Sequence, residues 1–141
     1  MDVQNCASYL RGLLDAASSV SVWMGPSYVY AAVFDNASFA DGFRELFRFG
    51  EDELEDSELT FDALLREWFG DEDANDKKLV CALSYHIEKR LGKAGRVRTA
   101  KEKHLTRLEN KNSPVPFTSV EDMAIVSFPG HTVCLVMGNN E

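Results

Sequence analysis

Met123-Ala124-Ile125-Val126-Ser127-Phe128-Pro129-Gly130-His131-Thr132-Val133-Cys134-Leu135-Val136-Met137 decides the fold, because two apolar, β-branched runs flank a Pro-Gly turn. Runs of this composition suit paired strands, and so short a connection suits a hairpin. Pro-Gly favours a type II turn, whose twist matches antiparallel strands less well than the primed turns, so a bulge is expected beside Gly130. Upstream, Ser113-Pro114-Val115-Pro116 reads as a stiff linker, since each proline fixes φ and biases its predecessor to extended geometry. The other end of the chain carries a matching signal. Val20-Ser21-Val22-Trp23-Met24 and Tyr28-Val29-Tyr30-Ala31-Ala32-Val33-Phe34 are β-branched and aromatic around Gly25-Pro26-Ser27, and read as a second hairpin, although Pro26 could also open a helix. The run 28–34 is apolar on both faces, as an interior strand would be.

Between the two ends the apolar period is helical. Residues 3–17 place Cys6, Tyr9, Leu10, Leu13, Leu14 and Ala17 on one stripe, with Asp2 or Asn5 as the cap. Ser38 and Asp41 resemble a capping box ahead of Phe39, Phe43, Leu46 and Phe47, a helix that Gly50 ends. Thr60 can cap a short helix carrying Phe61, Leu64, Leu65 and Trp68, closed by Gly70. A longer helix starts at Asn75 or Asp76 and runs to about Leu91, with Leu79, Leu83, His86 and Ile87 on one side. In residues 96–110, Arg96-Val97-Arg98-Thr99 alternates like a strand while Ala100, Leu105 and Leu108 give a thin helical stripe. A basic helix from about Thr99 is the expected outcome. The resulting fold class is α+β: an antiparallel sheet of about four strands, formed by N- and C-terminal hairpins and covered by four to five helices, in a single domain spanning residues 1–141.

The 141 residues are 45% hydrophobic, enough for an ordinary globular core without disulfides or metals, and no apolar run approaches the roughly 20 residues needed to span a bilayer. Three widely spaced cysteines, Cys6, Cys81 and Cys134, and a start without a basic and then apolar leader point to reduced thiols in a cytoplasmic protein. The net charge of −8 is unevenly distributed. Residues 1–76 hold 17 acids and 4 bases, residues 77–111 hold 11 bases and 3 acids, and residues 112–141 hold 3 acids and no base. Within the first block, residues 51–73 carry eleven acids against Arg66 alone.

The chemistry that such residues could support is limited. Asp71-x-Asp73-x-Asn75 opens like a calcium loop, but Asp76 stands where glycine is required and Ala82 where a bidentate glutamate is required. Cys81 and His86 lie about 140° apart around a helix, and His131 and Cys134 face opposite sides of one strand, so neither pair chelates zinc. No phosphate loop, nucleophile elbow or zinc-protease helix is present, and no cofactor is expected. The order Cys6, His131, then Asn139 and Asn140 is similar to the chain order of papain-like cysteine hydrolases, and His131-Thr132-Val133-Cys134-Leu135-Val136 resembles the histidine strand of that family. The resemblance implies Cys6 as nucleophile and His131 as base, without the aromatic and glycine-rich surroundings of the family's cysteine. A third possibility is nucleic-acid binding through Lys89, Arg90, Lys93, Arg96, Arg98, Lys101, Lys103, Arg107 and Lys111, a segment that holds no aromatic residue to stack on bases.

The acidic block supports a different role, that of a non-enzymatic binding or inhibitor protein of the immunity or anti-defence type. Carboxylates on a rigid frame can occlude a basic, nucleic-acid-handling surface of a protein partner and steer the encounter. Glu51, Asp52, Glu53, Glu55, Asp56 and Glu58 are the expected contacts, with Phe49, Phe61, Trp68 and Phe69 as anchors if exposed.

Overall fold

The structure, a computed structural model, describes residues 2–110 and 112–140. In chain order it contains α1 (Val3–Val20), β1 (Tyr28–Asp35), α2 (Phe39–Phe47), β2 (Glu55–Asp56), α3 (Phe61–Phe69), α4 (Ala74–Leu91), β3 (Val97–Thr99), α5 (Glu102–Arg107), β4 (Ser119–Ser127) and β5 (His131–Asn139), with 3-10 turns at Asn36–Ser38 and Glu51–Glu53. The fold is α+β, as the alternation of periods implies. One five-stranded sheet has the order β1-β5-β4-β3-β2, and every neighbouring pair is antiparallel.

Helices cover both faces of this sheet. Leu10 and Leu14 of α1, Leu65 and Phe69 of α3 and Leu83 and Ile87 of α4 pack on Val29, Ala31, Val33, Val126, Val133 and Leu135. On the opposite face Phe39, Phe43 and Phe47 of α2 and Leu105 of α5 pack on Ala32, Ile125, Cys134 and Val136. Successive strand residues therefore enter two different cores, as the period of two requires. This explains why residues 28–34 are apolar throughout. β1 lies at the edge of the sheet rather than inside it, and Arg11 of α1 donates from Nε to the Ala31 carbonyl at 2.8 Å.

The C-terminal hairpin forms, pairing Ser127 with Thr132 across the Pro-Gly turn, and Phe128 N–H donates to the His131 carbonyl at 2.7 Å. Its register shift falls between Val120 and Asp122, at the far end from Gly130. The N-terminal hairpin does not form. α1 continues through Ser18 and Ser19, whose hydroxyls return to the Leu14 and Ala16 carbonyls, both at 2.8 Å, so these polar residues do not break the helix. Residues 22–26 form turns, and β1 pairs with β5 instead. The sheet reaches five strands rather than about four because β2 pairs with β3, and β3 with β4. The expected basic helix is correspondingly shorter: Val97–Thr99 alternates into the sheet, and the helix begins at Glu102.

Candidate partner-binding site

The acidic segment 51–58 meets the basic segment 96–104 because β2 and β3 are neighbours, with Glu55 opposite Thr99 and Asp56 opposite Arg98. Arg96 donates from Nε to Asp56 Oδ1 at 2.6 Å, and its Nη2 lies 2.6 Å from the same oxygen. Arg98 Nη1 lies 3.3 Å from Glu51 Oε2, Lys101 Nζ 3.7 Å from Glu55 Oε1, and His104 Nε2 3.6 Å from Glu53 Oε1. Arg44 of α2 reaches Asp52 at 3.6 Å. Four of the six acids expected to contact a partner, Glu51, Asp52, Glu55 and Asp56, thus have an internal counter-charge; Glu53 faces only His104, whose ring burial keeps neutral at pH 7, and Glu58 is in no ion pair among the described residues. A two-residue charged edge strand also resists pairing with another chain's edge.

These contacts differ in weight. Exposed pairs contribute about 0–1 kcal/mol each. Arg98 is different: its side chain is 13% exposed, and its guanidinium also sits 5.3 Å from the centre of the Phe39 ring. Glu51→Ala is therefore expected to cost about 1–2 kcal/mol by leaving a largely buried cation without its carboxylate, whereas Asp52→Ala stays within about 0.5 kcal/mol. Urea unfolding of the two variants checks this, and equal midpoints would contradict it.

The basic segment is occupied in part, with Lys93, Lys103 and Arg107 in no ion pair among the described residues. Arg96, Arg98 and Lys101 hold the acids, Lys89 lies 5.6 Å over the Tyr85 ring and Arg90 4.2 Å over the Tyr9 ring, and Lys111 falls outside the described residues.

A second group of carboxylates has no such counter-charge. Glu67, Asp71, Glu72, Asp73 and Asp76 occupy ten residues without a base, and none is in an ion pair among the described residues. They are gathered by local structure. Gly70 ends α3 with φ 104°, which favours glycine, and Asp73 caps α4 by accepting from the Asp76 N–H at 2.9 Å. A Cβ on Gly70 would lie 2.9 Å from Asp76 Cγ and 3.0 Å from Trp23 Cβ, so the chain reversal is packed against both.

Trp23 is the aromatic residue beside these acids. Its indole Nε1 donates to the Glu67 carbonyl at 3.0 Å, fixing the ring while 56% of the residue stays exposed. Ser21 anchors the same turn by donating to the Phe69 carbonyl at 3.0 Å and accepting from Met24 N–H at 3.2 Å. Val20 and Val22 are 69% and 91% exposed. By contrast Phe49, Phe61, Trp68 and Phe69, the anchors expected from sequence, are all buried, and Trp68 donates to Asp122 at 3.0 Å. Reading residues 20–24 as a strand concealed Trp23; the run of solvent-facing Val20, Val22 and Trp23 follows only once α1 ends at Val20.

The cysteine-hydrolase arrangement is not assembled. Cys6 is buried in the core under α1, and burial pushes its thiol pKa up, with Arg90 opposing only in part. That is the reverse of an activated nucleophile. His131 Nε2 sits 3.6 Å from Asp35, Asn139 donates to Glu121, Asn140 accepts from Thr118 N–H, and no hydrogen bond joins Cys6 to His131 among the described residues. Cys134 is also buried, and burial raises its pKa. A mild thiol reagent is expected to label exposed Cys81 first, and Cys6 and Cys134 only as the chain opens. Faster labelling of Cys6 would restore it as a nucleophile.

Among the described residues, no group of three or more His, Cys, Asp or Glu could hold a metal ion, and no helix is long and apolar enough to cross a membrane. No family model, curated protein or solved structure matches this chain.

Proposed function

We propose that this chain is a non-enzymatic, cytoplasmic binding protein whose carboxylates occlude a basic, nucleic-acid-handling surface of a protein partner. The observation that carries the reading is the group Glu67, Asp71, Glu72, Asp73 and Asp76, held on the helix ends around Gly70 and in no ion pair among the described residues, with Lys77 and Lys78 the nearest bases in sequence after them. Uncompensated charge on a fixed frame raises the rate of encounter with an opposite charge and disfavours acidic competitors. A row of carboxylates can also occupy the places that phosphates take on a basic surface, which blocks that surface without any chemistry. Glu51, Asp52, Glu53, Glu55, Asp56 and Glu58 are secondary contacts, because engaging most of them means exchanging internal pairs worth about 0–1 kcal/mol when exposed.

Affinity capture from extracts of the source cells, at low and high salt, tests this. The expected result is a basic protein retained at low salt, released at high salt, and lost when Glu67, Asp71 and Glu72 are all changed to Lys. Equal capture by that variant at low salt would reject the reading.

A further inference from the structure

Among the described residues, only His104 buries side-chain nitrogen or oxygen atoms without a hydrogen-bond partner, and it does so with both ring nitrogens. Besides its own helix α5, two things hold it. The Phe49 ring stacks on it with centres 4.0 Å and planes 9° apart, and the 3-10 turn Glu51–Glu53 brings Glu53 Oε1 to 3.6 Å from Nε2. The charges around the ring are unbalanced: Glu53 is the single carboxylate that acts on it, against Lys101, Lys103 and Arg107, and β4, on which α5 packs, adds no charged group. A proton on this ring therefore puts a cation in a nearly water-free site facing one acid and three cations.

The two neighbours are not equally fixed. Phe49 is buried and edge-on to Phe43 at 5.1 Å, inside the second core. The turn is held far less. Its own backbone bonds are local, Glu53 N–H to the Gly50 carbonyl and Leu54 N–H to the Glu51 carbonyl, both at 3.1 Å. Beyond it the segment is secured by half-buried Leu54, by the two-residue ladder onto β3 with Ser57 N–H donating to the Val97 carbonyl at 2.9 Å, and by ion pairs of which those of Asp52, Glu55 and Asp56 are exposed. A segment tied down by so few contacts opens at lower free energy than the two cores.

We infer that His104 is a pH-sensitive catch on the acidic segment: its protonation destabilises the closed site, and residues 51–57 detach from β3 and α5 while both cores stay folded. Lifting the turn takes Glu53 away from Nε2 and admits water to the ring, which can then carry its charge. Protons thus favour the open state. Burial holds the His104 pKa below 6.5, so the segment is closed above about pH 6.5 and opens increasingly as the pH falls from there. The carboxylates of Glu51, Glu55 and Asp56 are released from Arg98, Lys101 and Arg96 in the same step. Their addition to the binding surface in acid rests on the proposed function, whereas the catch itself does not.

Nuclear magnetic resonance of the full chain between about pH 7.5 and about pH 5, above the ordinary carboxylate range, reads the catch. The amide shifts of Glu53, Leu54 and Ser57 are expected to move together with the His104 ring resonances. Exchange of the Ser57 amide, corrected for its intrinsic pH dependence, should rise at least about tenfold relative to the amides of Ile125 and Leu135 in the central strands. His104→Phe keeps a ring on Phe49 and should abolish both changes. Glu53→Gln removes the carboxylate that favours the charged ring, and should move the midpoint to lower pH. Both variants retain His86 and His131, so a change caused by either would persist. Changes at 51–57 that survive His104→Phe, or protection lost equally in the central strands, would overturn the inference. Slower Ser57 exchange at about pH 5 would overturn it too, since the protonated ring would then be tightening onto Glu53. So would the absence of any change at 51–57 over this range. No partner is present in this experiment, so its failure leaves the partner-binding reading to its own test.

Discussion

Phe43→Ala is expected to remove about 3–5 kcal/mol of stability. Phe43 is fully buried, and its ring centre lies 5.3 Å from Phe39 and 5.1 Å from both Phe47 and Phe49. Truncation loses the transfer energy of the ring, leaves a cavity and removes three aromatic contacts, none of which helix α2 can repack from its own length of nine residues. The consequence reaches the acidic segment, because α2 carries Arg44 and presents Phe39 under Arg98, whose partner is Glu51. Urea denaturation should show a lower midpoint with an unchanged slope. A loss under about 1 kcal/mol would mean that the second core does not hold the α2 layer.

The second expectation concerns acid sensitivity at His104. This residue is 1% exposed, stacks on Phe49 with ring centres 4.0 Å apart, and neither ring nitrogen has a hydrogen-bond partner. Burial pushes its pKa below 6.5, and nearby Glu53 opposes the shift only in part. A lowered folded pKa means that the unfolded chain takes up a proton first. The stability is complete above pH 6.5 and falls as the pH drops from there toward the folded value, by up to about 1.4 kcal/mol per pH unit. His104→Phe should keep the stack, remove two unpaired polar atoms and stabilise the fold by about 1–2 kcal/mol at pH 7. It should also flatten the pH dependence below about 6.5 relative to the parent chain. Parallel pH profiles of parent and variant would show that His104 does not titrate as its burial implies.

Helix positions and the C-terminal hairpin were legible because their signals are local. Thr60 and Gly70 bracket α3, Leu83, Ile87 and Leu91 of the α4 stripe are buried as read while His86 is exposed and Val80 takes its place in the core, and the runs around Pro129-Gly130 pair as read. The N-terminal hairpin misled for an equally local reason: Val20 and Val22 have strand composition, but Ser18 and Ser19 satisfy their hydroxyls inside the helix, and tertiary packing then leaves the valines in solvent. β2 and β3 were too short to show a period, although the alternation of Arg96-Val97-Arg98-Thr99 carried the trace of one. The opposite charges of the two halves were plain in the sequence. Which acids would be neutralised was not, because the pairs join residues some forty or more positions apart through a ladder of two residues. Only the spatial pairing separates the mostly ion-paired carboxylates of 51–58 from those of 67–76, which are in no ion pair among the described residues.

Association kinetics with the captured partner at low ionic strength test the account most directly, comparing two triple charge reversals. Glu67→Lys with Asp71→Lys and Glu72→Lys is expected to slow association by at least about tenfold and to reduce its salt dependence, with dissociation changed much less. Glu55→Lys with Asp56→Lys and Glu58→Lys should have the smaller effect on association, since Glu55 and Asp56 already face Lys101 and Arg96. An association rate left unchanged by the first set, or a larger loss from the second, would contradict the assignment of the binding surface to the carboxylates around Gly70.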